Sequence, residues 1–406
     1  MKLLRRISTR QLLALCATVI ALVVGATVIA IAATGGGPKP APKRLPVAIH
    51  DALAAPAVQG VTARIQFTNN LIANSSVQGT DPILTGASGR LWASPSGRLR
   101  LELQSDAAKG GVGDAQVLVD HRRVTVYDSS SNTAYEGKLP RDRADRGKRE
   151  RTVPSVARIQ RALGRLANHA VISRAIPSDV AGRPTYTVRV APRHDGGLLG
   201  GAELAWDAVH GTPLRAAVYA AGSSSPVLEL KVTDISFGPV SSSIFDVRPP
   251  KGAKVTNLSP PKRFADQSAS CPPNAPCPYS PVRGAAAVRK QASFPVTAPR
   301  RLAGLPRGEV RLISSGRRSG ALVTYGRGLG GIAVIEVPAS SKHPSTLSTG
   351  GEGPGLKLPK VSINGASGEE LDTALGTVLR FQRAGVSYTV AGSVPPAAAE
   401  AAARGL

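Results

Sequence analysis

Two periods organise the chain. Apolar and polar positions alternate in "VTARIQFTN" (61–69), "RLRLEL" (98–103) and "AQVLVDHRRVTVYDSSSNTAYEGKLP" (115–140). Alternation of period two sends successive side chains to opposite faces of a strand. In "GRLWASPSGRLRLEL" (89–103), Leu99, Leu101 and Leu103 point one way, and Arg98, Arg100 and Glu102 the other. The Ser-Pro-Ser-Gly stretch between them reads as a turn, so the pattern predicts hairpins of an antiparallel sheet. Val117, Val119, Val124 and Val126 continue the apolar face. That face either closes an ordinary core or lines a binding surface. Trp92 falls on the opposite parity from Leu91 and Ala93 but belongs to the same candidate set.

The period changes in "VPSVARIQRALGRLANHA" (153–170), where Val156, Ile159, Leu163 and Leu166 recur at helical spacing behind Pro154. The other face of this helix is rich in arginine. Residues 138–174 carry eleven Lys/Arg against three Asp/Glu. Those cations make either a solvated face or a docking surface for lipid headgroups or an acidic partner. Pro46 suits the first turn of a shorter helix in "PVAIHDALAA". Strands resume in "RPTYTVRVAP" (183–192), "AELAWDAVHGTPLRAAVYAA" (202–221) and "PVLELKVTDISF" (226–237).

Breaks in these periods set the organisation. A basic tail at 1–10 precedes an apolar run at 11–33 and a Gly/Pro spacer at 34–44. The body occupies 45–255, a Pro-rich linker 256–290, and a smaller β-rich module 291–406 that ends in an alanine-rich helix. The apolar run has no charge in 23 residues, and about 20 suffice to span a bilayer. It reads as a single-pass anchor. "AIA" at 30–32 also offers a cleavage pattern, which leaves a removed leader as the alternative. Lys2, Arg5, Arg6 and Arg10 keep the N-terminus in the cytoplasm and put the body outside. Cys271 and Cys277 in "CPPNAPCPY" then meet an oxidising compartment, where a small disulfide loop is expected. Half a zinc site is the competing reading, but it lacks a second ligand pair.

Charge adds one constraint. A formal net charge of +25 favours an anionic neighbour. For a body outside the membrane, that neighbour is a membrane surface or cell-wall polymer and not nucleic acid. Candidate catalytic chemistry is sparse. "GRGLGG" (326–331) matches G-x-G-x-x-G, but the β-branched "IAVIEV" follows where a nucleotide site needs a helix. It reads as a hairpin connection. None of the six histidines stands at metal-ligand spacing. His121 and His210 read as solvated turn residues, and Asp207, Asp234 and Asp246 show no partner. No G-x-S-x-G elbow is present. The expectation is a non-enzymatic protein with no cofactor and no metal, an envelope hydrolase being the outlying alternative.

The order of these strands resembles the LolA-like family of lipoprotein carriers and RseB-type envelope sensors over about residues 45–255. Trp92, Pro95, Arg98, Arg100, Glu102, Tyr127, Asp128 and Tyr135 carry the resemblance in the first half. "DISFGPVSSSIFDVRPPKGAKV" carries it in the second. The resemblance implies an α+β fold: an unclosed antiparallel β-barrel with helices over its mouth. It also implies an apolar cavity for the acyl chains of lipids or lipoproteins, walled here by Trp92, Leu99, Leu101, Leu103, Val117, Val119, Val124 and Val126. The alternative it implies is a sensor acting on a membrane regulatory protein such as an anti-sigma factor. The module at 291–406 is similar to small β-rich domains of membrane-tethered Gram-positive-type proteins. A tether departs from the carriers, which must diffuse between membranes.

Overall fold

The computed structural model describes residues 37–72, 77–78, 82–106, 114–138, 153–194, 196–257, 282–315, 318–339, 355–356 and 358–406. The apolar run at 11–33 and the cysteines Cys271 and Cys277 lie outside the described residues. Among the described residues, no helix is long and apolar enough to cross a membrane. The chain forms two compact units, and both are mainly β.

The first unit opens with helix α1 (Leu45–Ala54), with Pro46 in its first turn. Strands β1 (Val61–Asn69), β2 (Ala87–Ala93), β3 (Leu99–Ser105), β4 (Asp114–Asp120), β5 (Arg123–Asp128) and β6 (Thr133–Lys138) follow. Then come helix α2 (Val156–Leu166) and strands β7 (Ala170–Ile172), β8 (Ile176–Val180), β9 (Arg183–Pro192), β10 (Leu199–Asp207), β11 (Pro213–Ala220), β12 (Pro226–Phe237) and β13 (Lys254–Asn257). All thirteen strands join one sheet. Its order is β13-β6-β5-β4-β3-β2-β1-β12-β11-β10-β9-β7, with β8 also on β9. Pairing is antiparallel throughout, except that β13 lies parallel to β6. β7 and β13 are the two ends of this path, so the sheet is open among the described residues.

Local chemistry explains the hairpins. Between β2 and β3 the Gly97 N–H donates to the Ser94 carbonyl, and Gly97 has φ +79°, a backbone that glycine adopts without a Cβ penalty. His121 (φ +52°) and Asn132 (φ +43°) turn the β4–β5 and β5–β6 hairpins. The β2–β3 pair also needs glycine at Gly89, where a Cβ would stand 1.9 Å from the Glu102 carbonyl oxygen. β1 joins the two meanders. It pairs locally with β2 and, across more than 150 residues, with β12, through a bulge at Arg64/Ile65.

The predicted second helix forms with shorter ends. Ser155 caps it, its Oγ accepting from the Arg158 N–H at 3.4 Å. Only Ile159 is buried, Leu163 is half-buried, and Leu166 is exposed. Ile159 and Leu163 pack with Leu45, Ala48 and Ile49 of α1 and with Tyr186, Val188 and Trp206 of the sheet.

The second unit holds α3 (Ala285–Gln291), β14 (Arg301–Leu302), β15 (Leu305–Ser315), β16 (Arg318–Tyr325), β17 (Ile332–Pro338), β18 (Lys360–Ile363), β19 (Ala366–Thr373), β20 (Gly376–Arg383), β21 (Val386–Gly392) and α4 (Pro396–Arg404). Eight strands make one antiparallel sheet, ordered β14-β15-β16-β17-β21-β20-β19-β18. The Gly326–Gly331 stretch connects antiparallel β16 and β17, as a hairpin and not as a nucleotide loop. Asn364 (φ +49°) and Gly365 (φ +83°) turn β18 into β19, the backbone that favours Asn-Gly in two-residue hairpins. Val288 of α3 and Ala399, Ala402 and Ala403 of α4 pack into the core. α3 lies in the stretch whose composition reads as linker, because a single buried valine in an Ala/Arg-rich helix leaves little periodicity to see.

Candidate functional site

Residues directly opposite one another in paired strands share a face. The register therefore assembles the inner face of the first unit row by row. One row runs Ile235–Ala63–Leu91–Leu101–Val117–Val126–Tyr135 across seven strands. The next runs Phe237–Val61–Ala93–Leu99–Val119–Val124–Gly137. Seven of the eight sequence-predicted residues therefore belong to one continuous apolar face, Leu103 standing a row further along opposite Gly89 and Ala115.

Exposure grades this face. Leu101 is 1% exposed, and Leu99, Leu103, Val117 and Val126 are also buried. These five are core in this structure. Val119 and Val124 are half-buried, as are Leu91, Ala93, Ile235 and Phe237 packed against the same cluster. The half-buried members gather toward the second row, which forms an apolar lip.

Trp92 is not on this face. It stands opposite Arg100 and Thr62, and the Arg100 guanidinium lies 5.5 Å from its ring centre. Arg100 also pairs with Glu102, which accepts from Gln116 at 3.2 Å. The tryptophan thus belongs to a polar ladder on the outer face. Its parity decides this, and the parity is legible in the sequence.

Beside the lip sits a polar group that the sequence does not announce. The His210 ring stacks on Phe237 with centroids 4.0 Å apart. Asp207 is fully buried. It accepts from Arg183 Nε at 2.8 Å, from the Val209 and His210 backbone N–H groups at 2.9 and 2.7 Å, and lies 3.0 Å from His210 Nδ1. Burial works against the Asp207 carboxylate, but Arg183 and these N–H groups outweigh it and hold its pKa below the ordinary range. Asp207 therefore has partners, and His210 is packed on a ring and not simply solvated. The signal available in sequence was Asp207 three residues before His210 in a turn. Arg183, 24 residues before Asp207, was not findable.

On the outer face of β9–β12, Arg215 donates to Glu203 at 3.1 Å, to the Tyr219 hydroxyl at 2.9 Å, and to Glu229. The Tyr219 hydroxyl donates to Glu203. Arg189 reaches Glu203 at 3.4 Å. Burial and the Glu203 hydrogen bond push the Tyr219 hydroxyl pKa up. Despite its burial, Arg215 is held more firmly protonated by Tyr219 and Glu229. The members come from four neighbouring strands, Arg215 and Tyr219 both from β11, so the network ties β9 to β12.

The second unit buries acids without such pairing. Glu336 is fully buried. One of its oxygens accepts from the Thr297 N–H at 2.7 Å, and Oε1 has no hydrogen-bond partner among the described residues. Burial pushes its pKa up to about 7, against the Thr297 N–H and Arg289. Burial and the Glu336 charge push Tyr325 up to about 12. Glu370 is also buried, with Oε2 unpartnered among the described residues, and burial raises its pKa.

Among the described residues, no three His, Cys, Asp or Glu gather as a metal site. The geometry offers non-covalent contact with an apolar chain along the lip, where each buried methylene is worth about 0.8 kcal/mol.

No protein-family model matches the chain. No curated protein matches it either. Among solved structures, the Pseudomonas aeruginosa MucA/MucB complex is similar at 15% identity and TM-score 0.38, over 88% of this chain and 95% of that chain. An uncharacterized conserved protein from Thermus thermophilus is similar at 13% identity and TM-score 0.32, over 52% of this chain and 96% of that one. A LolA-superfamily protein from Nitrosomonas europaea is similar at 9% identity and TM-score 0.22, over 50% of this chain and 98% of that one. The solved structures similar to this chain thus include MucB and a LolA-superfamily protein.

Proposed function

We propose that the chain is a membrane-anchored, extracytoplasmic and non-enzymatic binding protein. Its first unit holds acyl chains, of lipids or of lipoproteins, against the inner face of its sheet. The observation that carries this reading is the continuous apolar face, half-exposed at Ala93, Val119, Val124 and Phe237 of its last row and at Leu91 and Ile235 of the row before it. An acyl chain docks first on that lip and replaces water there. The buried residues, Leu99 within the last row and Leu101, Leu103, Val117 and Val126 behind it, are reached only where the core opens. The apolar run at 11–33 supplies the anchor, single-pass with a cytoplasmic N-terminus, and Cys271–Cys277 a disulfide loop outside.

Native mass spectrometry of the full chain, extracted from its own envelope in mild detergent, tests this. Bound acyl lipid is expected in the wild type and is lost in Val124→Asp with circular dichroism unchanged. A folded wild type that carries no lipid overturns the reading.

A second reading is a sensor that acts on a membrane regulatory partner such as an anti-sigma factor. The second compact unit favours it, because acyl binding by the first unit gives it no task. An envelope protein that stays with the full chain and leaves it when lipid is added distinguishes the sensor from a simple holder.

A further inference from the structure

We propose that α2 and the adjoining edge strand β7 form a surface that docks on an anionic lipid headgroup plane. The inference rests on the anchoring reading above. Residues 153–178 contain Arg158, Arg161, Arg165 and Arg174 and no Asp or Glu. All four arginines are exposed. Two large apolar side chains stand among them uncovered, Leu166 at 42% and Val171 at 53% exposure. They stand five residues apart in the chain, and the His169 N–H donates back to the Leu166 carbonyl before β7 begins. An amphipathic helix with cations around a few exposed apolar residues suits the headgroup boundary, where the guanidinium groups meet phosphate and the apolar tips sink below it.

The point where the chain enters the unit gives the second argument. Gly37 lies against the Asp179 carboxyl of β8, where a Cβ would stand 2.4 Å from it. The Tyr186 hydroxyl donates to the Ala41 carbonyl at 2.6 Å, and Arg44 Nη2 donates to Gln160 Oε1 of α2 at 3.4 Å. Entry segment and helix therefore border the same side of the unit. Gly37 follows the apolar run, which ends at Ala33, by four residues, a reach of at most about 14 Å. A body on so short a tether presents to the bilayer the surface around its entry point. That surface carries the arginines, with exposed Lys39 and Arg44 beside them. Asp51, the nearby acid of α1, is taken up by Lys43 at 2.6 Å.

The test uses the full chain carrying Leu166→Trp, reconstituted in vesicles of brominated phosphatidylglycerol or brominated phosphatidylcholine, with the wild type as the fluorescence background. Expected is quenching of the added tryptophan in phosphatidylglycerol only. It weakens in raised salt and in Arg158→Gln/Arg161→Gln/Arg165→Gln, while the chain still floats with the vesicles. Each arginine removed weakens surface attachment about fivefold. Flotation without quenching in phosphatidylglycerol overturns the docking surface, leaves the anchor standing, and turns the face over to an acidic protein partner. Equal quenching in both lipids overturns the role of charge. A chain that salt strips wholly from the vesicles overturns the anchor, and the docking surface with it.

Discussion

The first unit buries its acids as parts of networks; the second buries them almost alone. Glu203 meets Arg215, Tyr219 and Arg189, and Asp207 meets Arg183, His210 and two backbone N–H groups. Glu336 has one N–H donor, and Glu370 keeps an unpartnered oxygen among the described residues. Both arrangements keep carboxyls out of water, with opposite consequences. A paired carboxylate stays charged and cross-links strands far apart in sequence. A lone one is destabilising when charged, so its unit is more stable when it is protonated. The two units therefore respond to pH in opposite senses: the first loses stability as pH falls through the lowered folded pKa of Asp207, and the second as pH rises through the raised one of Glu336.

The largest expected effect comes from breaking the first network. Arg215→Ala removes the buried cation that Glu203 and Glu229 share, leaving Glu203 only the more exposed Arg189, and should cost the first unit about 4 kcal/mol. Calorimetry of the full chain reads this as a lowered transition for that unit. A loss under about 1 kcal/mol would place the network with surface ion pairs. Next comes the buried row: Leu101→Ala should cost about 3 kcal/mol, and Val124→Ala on the lip clearly less. Equal losses would erase the distinction between core and lip.

Glu336→Gln reads the second unit. The folded pKa of Glu336 stands at about 7, above the ordinary 4.5. Its contribution to stability is therefore greatest below pH 4.5 and is lost as pH rises through 7. The substitution should stabilise this unit by up to about 3 kcal/mol at pH 8 and by little at pH 4. Denaturant titrations at the two pH values decide it, and a pH-independent effect would deny the shift. The smallest effect is expected from Glu370→Gln, in the same direction. Its carboxyl is less deeply buried than Glu336, and its pKa is raised by burial together with Glu400 and Asp372.

Much of the candidate face was legible in the chain. Leu99, Leu101, Leu103, Val117, Val119, Val124 and Val126 share one parity, and hairpin pairing carries parity from strand to strand. Trp92 has the opposite parity, and the register puts it on the other face, opposite Thr62 and Arg100. Ile235 and Phe237 were hidden, because they reach the face through β12 on β1, across a bulge that shifts parity by one residue. The His210–Asp207–Arg183 group was hidden for a similar reason: its turn is local, but its guanidinium comes from another strand. On α2, spacing alone gave four equivalent apolar positions, whereas packing on α1 buries Ile159 and leaves Leu166 outside.

The sequence by itself determined strand faces, turn positions, the basic helix and the uncharged apolar run at 11–33, since each depends on neighbours a few residues apart. Only the tertiary structure decided which strands adjoin, which apolar residues are sealed and which form the lip, and which buried acids find a cation. Those outcomes depend on contacts between segments as distant as β1 and β12. The preference of a local stretch for strand or helix carries no information about its partner.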